Sequence, residues 1–152
     1  GAGTGSVSVE MALRADQGQV FAVEKKDDAV ALLYEYKQRF AADNLEIIKG
    51  EAPEALKELP VPTHAFIGGS SGNLKEIVAL LLEKNRDVRI VINCITLETI
   101  SEALEVLKEY DFADQEAVQL TASRSKEIGR YHLMMGENPI YIITCQSPRA
   151  QI

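Results

Sequence analysis

The sequence predicts an α/β fold, with a mostly parallel sheet closed by an antiparallel hairpin. Three observations carry this reading. Short apolar runs alternate with amphipathic stretches from residue 19 to residue 110, the pattern of strands joined by crossover helices. The last two apolar runs have no helix between them, so they must pair antiparallel. The chain also opens on a glycine-rich loop, "GAGTGS", that leads straight into a helical pattern.

That first helix runs roughly from Ser6 to Arg14. "QVFAVE" (19–24) is short, apolar and valine-rich, as a strand should be. "DDAVALLYEYKQRFA" (27–41) is a helix that Asp27 or Asp28 can cap, with Ala29, Val30, Leu33, Tyr36 and Phe40 on one face. "LEIIKG" (45–50) is the next strand, and the proline-bearing "EAPEALKELPVP" (51–62) is an ordinary connection. "THAFIGG" (63–69) is a third strand. "NLKEIVALLLEK" (73–84) is a helix with Asn73 at its N-cap and Glu76 three residues on, close to a capping box. "DVRIVINCI" (87–95) is a fourth strand, and "LETISEALEVLKEY" (97–110) a helix with Leu97, Ile100, Leu104 and Leu107 inward. "EAVQLTAS" (116–123) and "PIYIITCQ" (139–146) form the closing pair, joined by a long loop. Without repeats or low-complexity tracts, residues 1–152 read as one domain. A mostly parallel sheet with such a closing hairpin is the methyltransferase variant of the Rossmann-like fold.

Hydrophobic residues make up 46% of the chain, enough for a core, yet no apolar run approaches the roughly 18 residues of a membrane span. Cys94 and Cys145 lie far apart and form no CxxC; they read as buried thiols. With neither a disulfide nor a metal framework, a cytoplasmic setting is the default. A net charge of −7 argues against bulk binding of nucleic acid, though not against a local basic site.

In "GAGTGS" the spacing is Gly1-x-Gly3-x-Gly5, with Ser6 where the dinucleotide fingerprint wants glycine. Such a loop lets the backbone approach a ligand, and the helix after it aims its N–H groups at a carboxylate or phosphate. A plain tight turn would use the same glycines. Glu24 ends the next strand about 20 residues on, where an acid meets a ribose diol; an exposed glutamate at a strand end is the plainer alternative. Gly50, Glu51 and Ala52 follow the second strand, where an adenine would lie. A loop of this kind normally follows a buried strand, and none precedes Gly1. The chain is therefore expected to be an N-terminally truncated domain lacking its first strand.

Taken together, "GAGTGSVSVE", "VEKKDDAV", "GEAPEAL", "FIGGSSGNLKEI", "VINCITLET" and "SRSKEIGRYHLMMGENPIYIIT" resemble the decarboxylating precorrin-6Y C(5,15)-methyltransferases of the cobalamin pathway. The resemblance is to the small decarboxylase subunit or to the C-terminal half of the fused enzyme, and it covers nearly the whole chain. It implies S-adenosyl-L-methionine (SAM) as cofactor, methylation of carbon 15 of a corrin precursor, and loss of carbon dioxide from a neighbouring acetate. Carried over, Gly1, Gly3, Thr4 and Gly5 hold the methionine end of SAM. Glu24, with Lys25 beside it, takes the ribose, and Gly50, Glu51 and Ala52 contact the adenine. Gly68, Gly69 and Ser70 form the floor between cofactor and substrate, with Gly69 and Ser70 nearest the chemistry. Glu51 departs from the commoner aspartate.

An acidic protein that binds a polycarboxylate needs a local basic patch. Arg124, Lys126 and Arg130 supply one within "SRSKEIGRYH", with Tyr131 and His132 as candidate catalytic groups; a solvated loop is the plainer alternative. His64 reads as structural. The resemblance also suggests a homo-oligomer, possibly a tetramer, with Ile128, Leu133, Met134 and Met135 as the sticky element, and a possible second methyltransferase domain as partner or fusion. Two other readings stay open: a SAM-dependent RNA methyltransferase, which would usually carry a basic face, and a nucleotide-binding assembly subunit without turnover.

Overall fold

The structure, a computed structural model, describes residues 1–149; residues 150–152, part of the predicted domain, lie outside them. In chain order the elements are α1 (Ser6–Arg14), β1 (Val20–Glu24), α2 (Asp27–Arg39), β2 (Leu45–Lys49), a 3-10 turn (Glu54–Leu56), β3 (His64–Ile67), α3 (Leu74–Lys84), β4 (Arg89–Cys94), α4 (Leu97–Tyr110), β5 (Phe112–Leu120), β6 (Ser123–Ile128), β7 (Tyr131–Gly136) and β8 (Ile140–Pro148). β1 and β2 pair in parallel, as do β3 and β4. β8 enters antiparallel between β4 and β5, giving the order β3-β4-β8-β5.

Burial follows the pleat. In β4, Ile90, Ile92 and Cys94 are fully buried while Arg89, Val91 and Asn93 alternate with them. These residues join Leu74, Ile77, Val78, Leu81 and Leu82 of α3, Ala103 and Val106 of α4, and Phe112, Ile143 and Cys145 in the larger core. A second cluster forms around Leu33 and Leu45, with Val9, Ala12, Val20, Ala22 and Ala42. Burying a leucine such as Leu33 is worth about 1.5–3 kcal/mol, so each half of the molecule has its own apolar anchor.

Several sequence expectations are corrected. The long loop over residues 123–139 is instead an antiparallel hairpin, β6 and β7, turning at Gly129 with φ +62°. Every residue of both strands is exposed, so the hairpin lacks the apolar alternation that marks a half-buried strand. In α4, Leu97 and Leu104 face outward, 80% and 55% exposed, and the buried stripe is Ala103, Val106 and Tyr110. At about 100° per residue, Leu97 and Leu104 sit a quarter turn or more from Ala103, at the edge of a stripe that small Ala103 centres. Phe40 lies just past the end of α2 and is exposed, edge-on to Tyr36 with the Arg39 guanidinium over its ring. Neither Asp27 nor Asp28 caps α2; Lys26 holds the N-cap position. Asn73 does occupy the N-cap of α3, but its side chain makes no capping bond and donates instead to the Ala52 carbonyl at 3.2 Å. His64 opens β3, exposed, with Nδ1 3.0 Å from the Thr63 hydroxyl.

Candidate active site

The turns that follow β1, β2, β3 and β4 carry most of the predicted site, at the carboxyl ends of the parallel strands, where open α/β sheets bind their ligands. The glycine loop reaches this end from α1. Gly1 and Ala2 both donate to the Val23 carbonyl, at 3.0 and 3.1 Å, so the loop lies against the end of β1. Gly5 is the N-cap of α1, in a left-handed conformation with φ +86°. A side chain there is excluded twice: an added Cβ would lie 2.4 Å from Leu33 Cδ2. The first turn of α1 carries no acidic residue and no side-chain cap, leaving its N–H groups for an anion. Gly3 also has a left-handed φ of +58°, but the space beside it is open. A backbone cradle with open space on one side fits the carboxylate end of an amino-acid-like ligand.

Glu24, at the end of β1, is only 5% exposed. Its Oε2 accepts from the Gly3 N–H at 2.8 Å, and its Oε1 from the N–H groups of Lys25 at 2.8 Å and Lys26 at 3.0 Å. Burial pushes its carboxyl up, but the hydrogen bonds from Lys26, Gly3 and Lys25 outweigh that and hold it below the usual carboxylate range. Glu24 therefore stays ionised and ties the glycine loop to the turn before α2. A carboxylate has about four lone-pair sites, and three are taken, which leaves room for one further donor such as a ribose hydroxyl.

Lys25 and Glu51 form an ion pair at 2.7 Å, joining the turn after β1 to the turn after β2. Gly50 donates to the Glu24 carbonyl at 3.0 Å. Ala52, whose peptide bond to Pro53 is cis, is held from the other side by Asn73. Glu24, Lys25, Gly50, Glu51 and Ala52 are thus one connected group. Asn73, read from sequence as a helix cap, is the tie between this group and α3.

After β3 the chain turns through Gly68, Gly69, Ser70 and Ser71. Gly1 packs directly on this turn, since a Cβ on it would lie 2.4 Å from the Gly69 carbonyl oxygen. Glycine loop and Gly68–Gly69 turn are therefore neighbours. Next to them is a cavity of about 220 Å³, lined by Ile67 and the Gly68–Ser71 turn on one side and by Ile92, Asn93, Ile95, Thr96 and Thr99 on the other. Thr96 caps α4, its hydroxyl accepting from the Thr99 N–H at 3.2 Å and lying 3.0 Å from the Thr99 hydroxyl. Asn93, Thr96 and Thr99 were not assigned a role from sequence; the one signal was a polar residue interrupting the end of an apolar strand.

The basic patch lies elsewhere, on the exposed hairpin. Arg124 pairs with Glu137 at 3.5 Å, and the Arg130 guanidinium stacks over Tyr131 at 5.5 Å from the ring centroid. Arg124, Lys126, Arg130, Tyr131 and His132 do not line the cavity. The β6–β7 register sets Arg124 opposite Met135, Lys126 opposite Leu133 and Ile128 opposite Tyr131. Opposed residues share a face, so two cations and four large apolar side chains occupy one face, while Met134 and His132 fall on the other.

Comparison with known proteins agrees with this geometry. A family model described as a precorrin methyltransferase domain matches residues 1–146. The chain is 39% identical over 146 residues to the Pyrobaculum calidifontis protein named "Probable cobalt-precorrin-6B C(15)-methyltransferase (decarboxylating)", covering 95% of this chain and 74% of that one. It is 36% identical over 147 residues to the Salmonella typhimurium cobalt-precorrin-6B C(15)-methyltransferase (decarboxylating), covering 96% and 76%. The crystal structure of precorrin-6y C5,15-methyltransferase from Geobacter metallireducens superposes with a TM-score of 0.87 at 33% identity, covering 96% of this chain and 77% of that one. With a Rossmann-like α/β fold, a glycine loop tied to an acidic strand end and a match along nearly its whole length, this chain belongs to the precorrin methyltransferase family.

Proposed function

We propose that the protein is a SAM-dependent methyltransferase that methylates carbon 15 of a precorrin and releases carbon dioxide from an acetate side chain, a step of cobalamin biosynthesis. The observation that supports this best is the packing of the glycine loop directly against the Gly68–Gly69 turn, beside a cavity, in a chain of this family. SAM, when bound, supplies the methyl group.

In this reading the residues of the chain divide the work. Gly3, Thr4, Gly5 and the start of α1 hold the amino-acid end of the cofactor. Glu24 offers its remaining lone pair to the ribose, and Gly50, Glu51 and Ala52 flank the adenine, with Lys25 fixing Glu51. Gly68, Gly69 and Ser70 let a flat macrocycle lie close to the methyl group. Holding methyl and acceptor carbon in line supplies several kcal/mol through proximity alone, so no protein nucleophile is required. Arg124, Lys126 and Arg130 grip the substrate's carboxylates, with Tyr131 and His132 adjoining. The apolar side chains that share this hairpin face with Arg124 and Lys126 pack against other copies of the chain in a homo-oligomer, so the grip lies at the contact between copies.

The test is a pair of titrations. Arg124→Ala is expected to raise the apparent KM for the tetrapyrrole more than tenfold, since one charge-assisted contact is worth about 1.5–3 kcal/mol, while SAM affinity stays unchanged. Lys126→Ala should do less, because lysine makes a point contact. Full methylation by both variants at low substrate would remove the hairpin from the substrate site.

A further inference from the structure

The cavity between the ends of β3 and β4 is lined by a residue, Asn93, whose side-chain oxygen has nothing to bond. Asn93 lies in β4 one residue past the last β3–β4 pair, Ile67 with Ile92, which sets it beside the Gly68–Gly69 turn. Its Oδ1 is buried and has no hydrogen-bond partner among the described residues. A buried amide without a partner is unusual and calls for an explanation. The cavity that Asn93 lines offers one, because its other polar walls are the Ser70 and Ser71 turn and the Thr96–Thr99 pair. Thr96 and Thr99 already bond each other. No lysine, arginine, histidine, aspartate or glutamate lines the cavity among the described residues.

We infer that Asn93 holds the departing carboxyl of the substrate in this uncharged cavity. The inference rests on the function proposed above. A primary amide carries one acceptor and two donors, and half a rotation of its terminal group exchanges them. With no protein partner to fix it, the Asn93 amide can present its N–H to a carboxylate and its carbonyl to the acid form. The absence of a cation matters to the chemistry. In decarboxylation the bond between the acetate methylene and its carboxyl breaks, and the electron pair passes into the conjugated macrocycle. Neutral carbon dioxide leaves, and the methylene takes a proton from water. An arginine would stabilise the carboxylate more than the carbon dioxide that replaces it. An amide orients the group while solvating its charge weakly, which favours the step in which that charge leaves the cavity. Asn93 thus sets the balance between the two reactions, whereas the residues of the glycine loop govern methylation alone.

The test compares Asn93→Leu, Asn93→Ser and Asn93→Asp with the unaltered protein, using a precorrin with its acetate intact and reading methylated and decarboxylated products separately by mass. Asn93→Leu is expected to lower the ratio of decarboxylated to methylated product about tenfold, because the carboxyl is no longer held in the orientation from which it leaves, with SAM affinity unchanged. Asn93→Asp, which repels the carboxylate and keeps it out of the cavity, should lower it further. Asn93→Ser keeps a donor, should retain more of the ratio than leucine, and serves if the leucine variant does not fold. Product ratios that stay unchanged in all the variants that fold would overturn the inference while leaving the proposed function intact. Loss of SAM binding in those variants would also overturn it, by moving Asn93 to the cofactor. If the unaltered protein converts no precorrin, the proposed function fails, and the role of Asn93 with it.

Discussion

The carboxylate of Glu24 accepts the N–H of Gly3 at 2.8 Å, a bond that spans 21 residues and closes the glycine loop onto the end of β1. Two more backbone N–H groups meet the same carboxylate. The loop's shape therefore depends on one ionised side chain before any ligand arrives.

Replacing Glu24 with alanine removes three part-buried hydrogen bonds from backbone N–H groups, at about 0.5–1.5 kcal/mol for each. The variant should be less stable and should bind SAM more weakly, both measurable by thermal melting and calorimetry. The pH dependence has a definite sign. The folded carboxyl titrates below its unfolded value, so its stabilisation is fully present above the ordinary carboxylate range and is lost as pH falls through the lower folded pKa. Acid titration of the native protein should show this loss, and Glu24→Gln should abolish that part of the slope. An unchanged acid limb would mean that Glu24 does not hold the loop.

The two cysteines give a prediction about the core. Cys94 and Cys145 are fully buried, and burial pushes both thiols up, Cys145 to about 12. The thiolate is the reactive form, so neither should react appreciably with a disulfide reagent near neutral pH until the protein unfolds. Rapid labelling of the native protein would contradict the packing around β4 and β8.

Much of this architecture was legible because burial and periodicity coincide. The strands that became β1, β2, β3 and β4 are short apolar runs bounded by turn residues, and the turns after them carry the candidate site at the carboxyl ends of the two parallel pairs. Gly1, Glu24 and Gly68 could be placed there from sequence. The hairpin could not, because "SRSKEI" and "YHLMMG" are exposed on both faces and carry no alternation. In α4, Ile100 and Leu107 pack against the core as expected, whereas Leu97 and Leu104 face out because Ala103, which carries little hydrophobic signal, takes the buried position. Asn93 was invisible for another reason. What marks it is an unmet hydrogen bond, which only coordinates reveal.

The hairpin face that bears Ile128, Tyr131, Leu133 and Met135 is exposed along its length. An isolated two-stranded ribbon with such a face is marginal in water. Sedimentation at micromolar concentration should therefore report an assembly larger than one chain, and Leu133→Ser with Met135→Ser should shift it towards the monomer with the core still folded. A clean monomer for the unaltered chain would show that the hairpin stands free.

The central claim is that one site, built from the turns after β1, β2, β3 and β4, performs methyl transfer to a precorrin together with decarboxylation. The direct measurement supplies SAM labelled with carbon-13 in its methyl group and a precorrin with its acetate intact, then locates the label by NMR. The account predicts label on carbon 15, the position named for its relatives, with one carbon dioxide released for each acetate lost. Label at another ring position, or carbon dioxide released with no methyl transferred at all, would contradict it.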